Sequence, residues 1–535
     1  MTNPIDSTNS EACASANQQT HTTNHIVIVG GGSAGWITAG TIAAKLNKTH
    51  ASNFTVTLIE SANVSAIGVG EGTWPTMRTT LNNMGIRETD FINHCHASFK
   101  QGAKFAKWVT GKDDDFYYHP LMLPEGSHHD SLIQQWFTAD TITSLSATLS
   151  PQEAICEAGL APKYITTAEY DAVANYAYHL DAGRFSAFLQ AHCVNHLHVR
   201  HLVSDVVAIN NDNDGYIDSL TTAELGDING DLFIDCTGFK SLLLGEHYKV
   251  GFKSCKDVLF ADTAIAVQVP YDDEQSSIAS HTISTAQSAG WIWDIGLSSR
   301  RGVGHVYASR YINDQDAEAE LKAYLADSVS DVDSLTFRKI AINPGHREKF
   351  WHKNCVAIGL SAGFLEPLEA SALLLVEISA NMVAEQLPSN RVAMDIVAKR
   401  FNDTFLYRWD RIIDFLKLHY MLNQRDDSDF WIDNRCVESI PKSLQTLLTL
   451  WQTQIPSDND FTHATEVFPA ASYQYVLYGM GFNTEASPWP LNSQCQQASK
   501  KQFEHNKVMT QQLTGSLPSN RELIQLIKQY GLQKV

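Results

Sequence analysis

One stretch near the start confines the fold more than any other. The run His25-Ile26-Val27-Ile28-Val29 passes directly into Gly30-Gly31-Gly32-Ser33-Ala34-Gly35 and then into a helical pattern that reaches about Leu46. A continuous apolar run suits a strand covered on both faces of a parallel sheet. Gly30, Gly32 and Gly35 fall on the spacing G-x-G-x-x-G. The first glycine permits a tight turn, the second lets a pyrophosphate approach the backbone, and the third lets helix and strand pack closely. The start of the helix adds free N–H groups and the positive end of its dipole. A second strand, Phe54-Thr55-Val56-Thr57-Leu58-Ile59, ends at Glu60, where a carboxylate can accept from a ribose hydroxyl. This βαβ opening predicts a Rossmann-like sheet that binds a dinucleotide.

Further elements extend that body. Asp231-Leu232-Phe233-Ile234-Asp235 and Asn354-Cys355-Val356-Ala357-Ile358-Gly359 read as short buried strands closed by glycine turns. Between them, Thr263-Ala264-Ile265-Ala266-Val267-Gln268-Val269 alternates with period two, as in an antiparallel sheet able to carry a substrate cavity. From Arg391 to about Leu422 the apolar residues recur at helical spacing, and Arg521 to Tyr530 reads as another helix. The expected fold class is α/β: an FAD-type Rossmann-like body over residues 24–390 with an interleaved antiparallel substrate sheet, and a helical C-terminal subdomain over 391–535.

Composition removes several alternatives. With 59 acidic against 39 basic residues the formal charge is -20, and a polyanion such as nucleic acid needs a cationic surface. Residues 1–23 are rich in Ser, Thr, Asn, Gln and Ala, with neither a basic start nor an apolar run, and read as a disordered tail rather than a signal peptide. No apolar stretch reaches the length of a membrane span. Nine dispersed cysteines fit reduced thiols and a cytoplasmic location better than a disulfide framework. His128 and His129 are adjacent but have no partner motif, so no metal site is expected. Only one dinucleotide fingerprint is found. An enzyme that carries both FAD and a nicotinamide cofactor on its own Rossmann domains shows two, so FAD is expected here, with reduction supplied from outside.

The motifs then converge on a family. Gly30-Gly31-Gly32-Ser33-Ala34-Gly35-Trp36 resembles the opening of the flavin-dependent tryptophan halogenases. Five later segments match that family in order: Ile67-Gly68-Val69-Gly70-Glu71-Gly72-Thr73, Ser98-Phe99-Lys100, Gly290-Trp291-Ile292-Trp293-Asp294-Ile295, Phe364-Leu365-Glu366-Pro367-Leu368-Glu369, and Arg425-Asp426-Asp427 with Phe430-Trp431. No single physical constraint would generate all of them.

The resemblance implies roles. Reduced FAD, oxygen and halide yield hypohalous acid, which travels to a lysine near the substrate, and a carboxylate stabilises the arenium cation and removes its proton. By resemblance Lys100 is that lysine and Glu369 that carboxylate. A lone lysine is mostly a surface group, and a lone glutamate there could simply charge a helix start. The matched context favours catalysis. The resemblance assigns the flavin to Gly30, Gly32, Ser33, Ala34, Gly35, Trp36, Glu60, Ser61, Gly70, Gly72, Val206, Leu360 and Leu373. It assigns substrate and halide to His119, Trp291, Trp293, Ser371 and Ala372. Trp291 and Trp293 alternate on one strand and so share a face, which packing alone would also explain.

Three departures stand out. Gly296 replaces the proline of W-x-W-x-I-P, which frees φ at the strand end. Ala370-Ser371-Ala372 replaces Ser-Thr-Gly, so the N–H groups are kept but access to positive φ is lost at Ala372. The aromatic segment that holds free tryptophan is short. It reads Glu466-Val467-Phe468-Pro469-Ala470-Ala471-Ser472-Tyr473 without a tyrosine pair, and Leu121 stands where an aromatic is expected. The expected substrate is therefore an indole-like, electron-rich arene, larger than tryptophan or lacking its charged groups. The resemblance implies a separate NAD(P)H-dependent flavin reductase as partner, with a homodimer as an analogy. Two other readings stay open: an FAD-dependent aromatic hydroxylase, and a catalytically silent flavin-binding protein.

Overall fold

A computed structural model describes residues 22–49, 54–64, 70–124, 129–139, 143–463, 465–485 and 490–534. Most of the stretch read as a tail, and Ile67, Gly68 and Val69 of the second glycine-rich motif, lie outside these residues. So does His128. Thr22 and Thr23 are tied down, unlike a disordered tail: Thr22 bridges Asn390, and Thr23 N–H donates to Ser389 O at 3.2 Å.

The apolar run forms the strand His25–Val29 at the centre of a six-stranded sheet. It lies between Thr55–Glu60 and Leu232–Asp235, both parallel to it, with Ile26 opposite Val56 and Leu232. Cys355–Ala357 and Arg200–Val203 extend the parallel order on either side, and the short Trp351–His352 closes one edge antiparallel. Ile26, Val27 and Ile28 are fully buried, as two covered faces require. The fingerprint helix, Ser33–Thr49, packs against Ala182–Leu197 and Ser371–Glu385. The helix that starts just after Glu369 is thereby placed against the dinucleotide loop's own helix.

A seven-stranded sheet contains Thr263–Pro270, as the alternation predicts, and runs out to Gly290–Gly296, Thr282–Ala286, Gly102–Ala106 and Phe116–Pro120. A third sheet of three strands joins Gly70–Gly72, Ala177–Asp181 and Ser98–Lys100. Gln101 alone separates the strand that ends in Lys100 from the strand Gly102–Ala106. Its N–H donates to Ser280 O at 2.7 Å and its carbonyl accepts from Leu121 N–H at 3.1 Å. The chain therefore steps from one sheet to the next with both backbone groups satisfied.

A fully buried ion pair supports this junction. Lys163 Nζ donates to Glu88 Oε2 at 2.7 Å, and the hydroxyls of Tyr176 and Tyr178 donate to Glu88 Oε1 at 2.6 and 2.7 Å. Tyr178 pairs with Phe99, next to Lys100. Every named element from Arg391 onward is helical among the described residues. The 31-residue helix Arg391–Met421 is capped by Asn390 Oδ1, which accepts from Ala393 N–H at 3.0 Å. Its buried stripe, including Phe401, Phe405, Trp409, Ile412 and Phe415, joins the core of the body, and Ala470–Gly479 packs on the Phe116–Pro120 strand. No helix among the described residues is long and apolar enough to cross a membrane.

Candidate active site

The glycines of the fingerprint do different work. Gly30 adopts φ +116°, and a Cβ there would lie 2.2 Å from Cys236 O. A Cβ on Gly35 would lie 1.8 Å from Gly30 O, so strand and helix touch at this point. A Cβ on Gly32 would meet nothing within 4 Å, which leaves its face open to a ligand's phosphates. Glu60 reaches back across the loop: a Cβ on Gly31 would lie 1.5 Å from its Oε2. His201 Nε2 lies 2.7 Å from the other oxygen. Trp36 is buried edge-on to His201, with ring centroids 5.2 Å apart. Ser33 Oγ meets Ser186 Oγ at 3.1 Å, and Ser61 Oγ accepts from Asn63 N–H at 3.0 Å. Ala34 faces Gly359, at the turn Gly359–Ser361 that carries Leu360, and Leu373 is buried in the first turn of Ser371–Glu385. Val206 opens the strand Val206–Asn211. An open glycine face, a free helix start and a strand-end carboxylate fit a dinucleotide such as FAD.

Lys100 and Glu369 are each 3 % exposed. Lys100 Nζ donates to Thr73 O at 3.3 Å. Burial pushes its amine down to about 8, against the pull of the Glu369 charge. A Cβ on Gly72 would lie 3.6 Å from Lys100 Nζ and 3.4 Å from Ala370 Cβ, so Gly72 sits between the lysine and the residue after the glutamate. Glu369 is held from two sides. His119 Nδ1 lies 2.9 and 3.0 Å from its two oxygens. His419 Nε2 lies 3.1 Å from Oε1, off the line of a relaxed N–H···O bond. Burial would raise this carboxyl, but the two histidines outweigh it and hold the group at about 2.

Aromatic rings surround the pair. Trp74 Nε1 donates to Glu369 O at 2.8 Å, and its ring stands edge-on to His119 and Phe468. Phe468 stacks on Phe415 at 3.9 Å, and Tyr475 lies 6.5 Å from His119. His119 Nε2 meets Ser472 Oγ at 2.9 Å. No cation stacks on Trp74, Phe415, Phe468 or Tyr475 among the described residues. Glu466 accepts from Tyr407 Oη at 2.7 Å, and Tyr473 is buried against Phe415, Trp451 and Phe461.

The departure at residues 370–372 resolves differently from expectation. The left-handed residue is Ala370, with φ 54°, and not Ala372. Ala370 is the N-cap of Ser371–Glu385 and offers no side-chain cap, so the N–H groups of Ser371 and Ala372 begin the helix without a side-chain acceptor from Ala370. A chloride or bromide fits such a start. The left-handed alanine costs about 1 kcal/mol. Gly296 is also explained by space: a Cβ there would lie 2.9 Å from Ile278 Cγ2.

The structure brings Lys100 and Ala370 to Gly72 and His119 to Glu369, and the helix of Ser371 and Ala372 starts directly after Ala370. The two tryptophans of the Gly290–Gly296 strand make contacts of their own. Trp291 is buried, 6.3 Å from Trp108, and its Nε1 donates to Glu366 Oε2 at 2.8 Å. Trp293 is half-buried, 6.4 Å from Trp291, on the same strand face. Sequence reasoning missed His419, Trp74, Tyr117 and Phe415, and quoted Phe468 and Ser472 only within the segment 466–473 without giving either a role. Of the four missed, only Trp74, directly after a matched motif, carried a local signal.

Comparison with known proteins identifies the family. The tryptophan halogenase family matches residues 25–496. The 7-chloro-L-tryptophan 6-halogenase KtzR of Kutzneria sp. (strain 744) is 32% identical, over 93% of this chain and 98% of that protein. The crystal structure of a tryptophan halogenase from Shewanella frigidimarina NCIMB 400 is 49% identical, with a TM-score of 0.93 over 96% of this chain and 99% of that one. Tar14, the tryptophan C-6 flavin-dependent halogenase (chlorinase) of taromycin biosynthesis, is 31% identical, with a TM-score of 0.86 over 95% of this chain and all of the other (100%). The chain belongs to the tryptophan halogenase family of flavin-dependent halogenating enzymes.

Proposed function

We propose that this chain uses reduced FAD, oxygen and chloride or bromide to halogenate an indole-like arene, with Lys100 and Glu369 acting on opposite charges of one transition state. The observation that carries this reading is the burial of an ammonium and a carboxylate in one site, each held by partners of its own. When bound and reduced, FAD supplies the chemistry that converts oxygen and halide into hypohalous acid. Gly32, Glu60 and the helix start at Ser33 would hold it. The N–H groups of Ser371 and Ala372 would hold the halide.

At the substrate, the Lys100 ammonium donates a hydrogen bond to the oxygen of hypohalous acid and polarises the oxygen–halogen bond. A ring carbon takes the halogen as that bond breaks, and the oxygen leaves as water with the lysine's proton. Glu369 stabilises the cationic ring and takes the proton from the halogenated carbon. Transfer of a proton back to the lysine amine closes the cycle. Trp74, half-buried and edge-on to His119 and Phe468, would offer an aromatic face to a flat substrate, and burial keeps water from competing. A separate NAD(P)H-dependent flavin reductase supplies the reduced cofactor.

The polar surroundings argue for an arene without amino-acid charges. Glu466 and Tyr473 are committed to Tyr407 and the core, and His119 is committed to Glu369 and Ser472. A site without groups for the ammonium and carboxylate of tryptophan gains nothing from them and must desolvate them. The test supplies the protein with FAD, NADH, a flavin reductase and chloride or bromide, and offers indole and free tryptophan separately. Halogenated indole, formed with the higher kcat/KM, is the expected product. Preference for free tryptophan would overturn the substrate assignment. Oxygenated product without halogen would overturn the reaction class.

A further inference from the structure

His419 lies fifty residues beyond Glu369, on the long helix Arg391–Met421, yet its ring reaches the same carboxylate. On the far side of that ring Nδ1 lies 2.6 Å from Tyr117 Oη, from the strand Phe116–Pro120. Tyr117, His419 and Glu369 are all buried; Tyr117 stacks on Phe105, and the His419 ring meets Phe105 and Phe415. The hydrogen-bond pattern assigns the imidazole tautomer. Burial lifts the Tyr117 phenol well above its ordinary value, so it stays a donor at working pH. If the phenol accepted from Nδ1, its own hydrogen would be left buried without a partner, which is costly. The phenol therefore donates to Nδ1, and the ring carries its hydrogen on Nε2, facing Glu369.

We propose that His419, with its tautomer set by Tyr117, is a positioning residue that keeps Glu369 ionised and aimed at the substrate. The inference rests on the assignment of Glu369 as proton acceptor and adds the device that maintains it. Two ring N–H groups, from His119 and His419, converge on one carboxylate. An ionised carboxylate is acceptor-only and can accept from both, whereas a carboxylic acid would bring a third hydrogen into a buried space that faces two ring nitrogens. A neutral imidazole suffices for this, in keeping with the lowering of His419 by burial. The charged and titratable groups that bear on the cluster are Glu369, His119 and Tyr117, with Lys100 and Asp115 beyond them.

The decisive substitution leaves Glu369 and its two histidines in place. In Tyr117→Phe the imidazole is free to carry its hydrogen on Nδ1 and present a bare Nε2 to the carboxylate, which then favours the protonated acid. The experiment is a pH titration of the Glu369 carboxyl by infrared difference spectroscopy. The Glu369→Gln protein serves as reference, and wild type, Tyr117→Phe, His419→Phe and His419→Gln are compared between about pH 4 and 8. We expect Glu369 to stay ionised in wild type and in His419→Gln, whose amide N–H replaces the ring donor. In Tyr117→Phe and His419→Phe the midpoint rises from about 2 into the titrated range, above about 4, a hundredfold or larger change in proton affinity. The acid limb of kcat shifts in step, with KM for the arene little changed. An ionised Glu369 down to pH 4 in both Tyr117→Phe and His419→Phe would overturn the proposal. The titration decides it whether or not an arene is halogenated, so failure of the reaction assignment would be visible separately in wild type.

Discussion

Lys100 and Glu369 share a buried site without pairing with each other: the ammonium bonds Thr73 O at 3.3 Å, and the carboxylate lies between His119 and His419 at 2.9 and 3.1 Å. A salt bridge between the two would consume both charges in the ground state. Held apart, each can act on charge that develops only in the transition state. Glu369→Gln keeps the shape and removes the proposed base. It should lower kcat for halogenation by about 10²–10⁴ with KM for the arene nearly unchanged. Steady-state kinetics with a reductase supplied in excess check this.

The alkaline side of the pH profile should report Lys100. Burial holds its amine at about 8, so the ammonium is the main form below that pH and is lost above it. A folded-state value below the unfolded one means that the unfolded chain binds more protons between about 8 and 10.5, so stability rises with pH across that window. Halogenation should fall in the same window, because the donor to hypohalous acid is gone. Parallel pH–rate and pH–melting series test the two opposite slopes. A rate that climbs through pH 8 would assign the step to the free amine.

Gly32 and Gly35 should separate folding from cofactor binding. A side chain on Gly32 meets open space, whereas one on Gly35 runs into Gly30 O at 1.8 Å. Gly32→Val should give a folded protein that does not retain FAD, because the methyl groups occupy the path of the pyrophosphate. Gly35→Ala should cost about 1–3 kcal/mol or more through overpacking. Circular dichroism and flavin absorbance of the purified variants distinguish them.

The buried pair beside the strand Ser98–Lys100 is structural. Lys163 and Glu88 are fully buried, and Glu88 also accepts from Tyr176 and Tyr178. Lys163→Met leaves a buried carboxylate without its cation and should destabilise the fold by about 3–5 kcal/mol. Denaturant unfolding measures this. Activity per folded molecule should change far less than in Glu369→Gln.

The parts that sequence could carry are those whose physics is local. The strand, glycine loop and strand-end carboxylate around Gly30 and Glu60 sit within one βαβ unit, where periodicity and turn chemistry are readable. Lys100 and Glu369 were legible only through their motifs, since neither residue type is distinctive alone. His419 was not legible at all. It lies among Phe415, Leu416 and Leu418 on a helix whose spacing reads as packing, and its partner Tyr117 is 302 residues away. Phe468 and Ser472 join the site only because Ala470–Gly479 docks on the Phe116–Pro120 strand. The left-handed backbone at Ala370 contradicts alanine's own preference and is imposed by the turn that aims Glu369.

Lys100 is proposed to direct the electrophile after it has been made elsewhere in the protein. The most direct measurement is the partition of product in wild type and Lys100→Met, with the arene and a soluble β-diketone trap for hypohalous acid both present. Lys100→Met should still halogenate the trap in amounts matching its flavin oxidation, while halogenated arene falls to background. Wild-type yields of halogenated arene from Lys100→Met would contradict it.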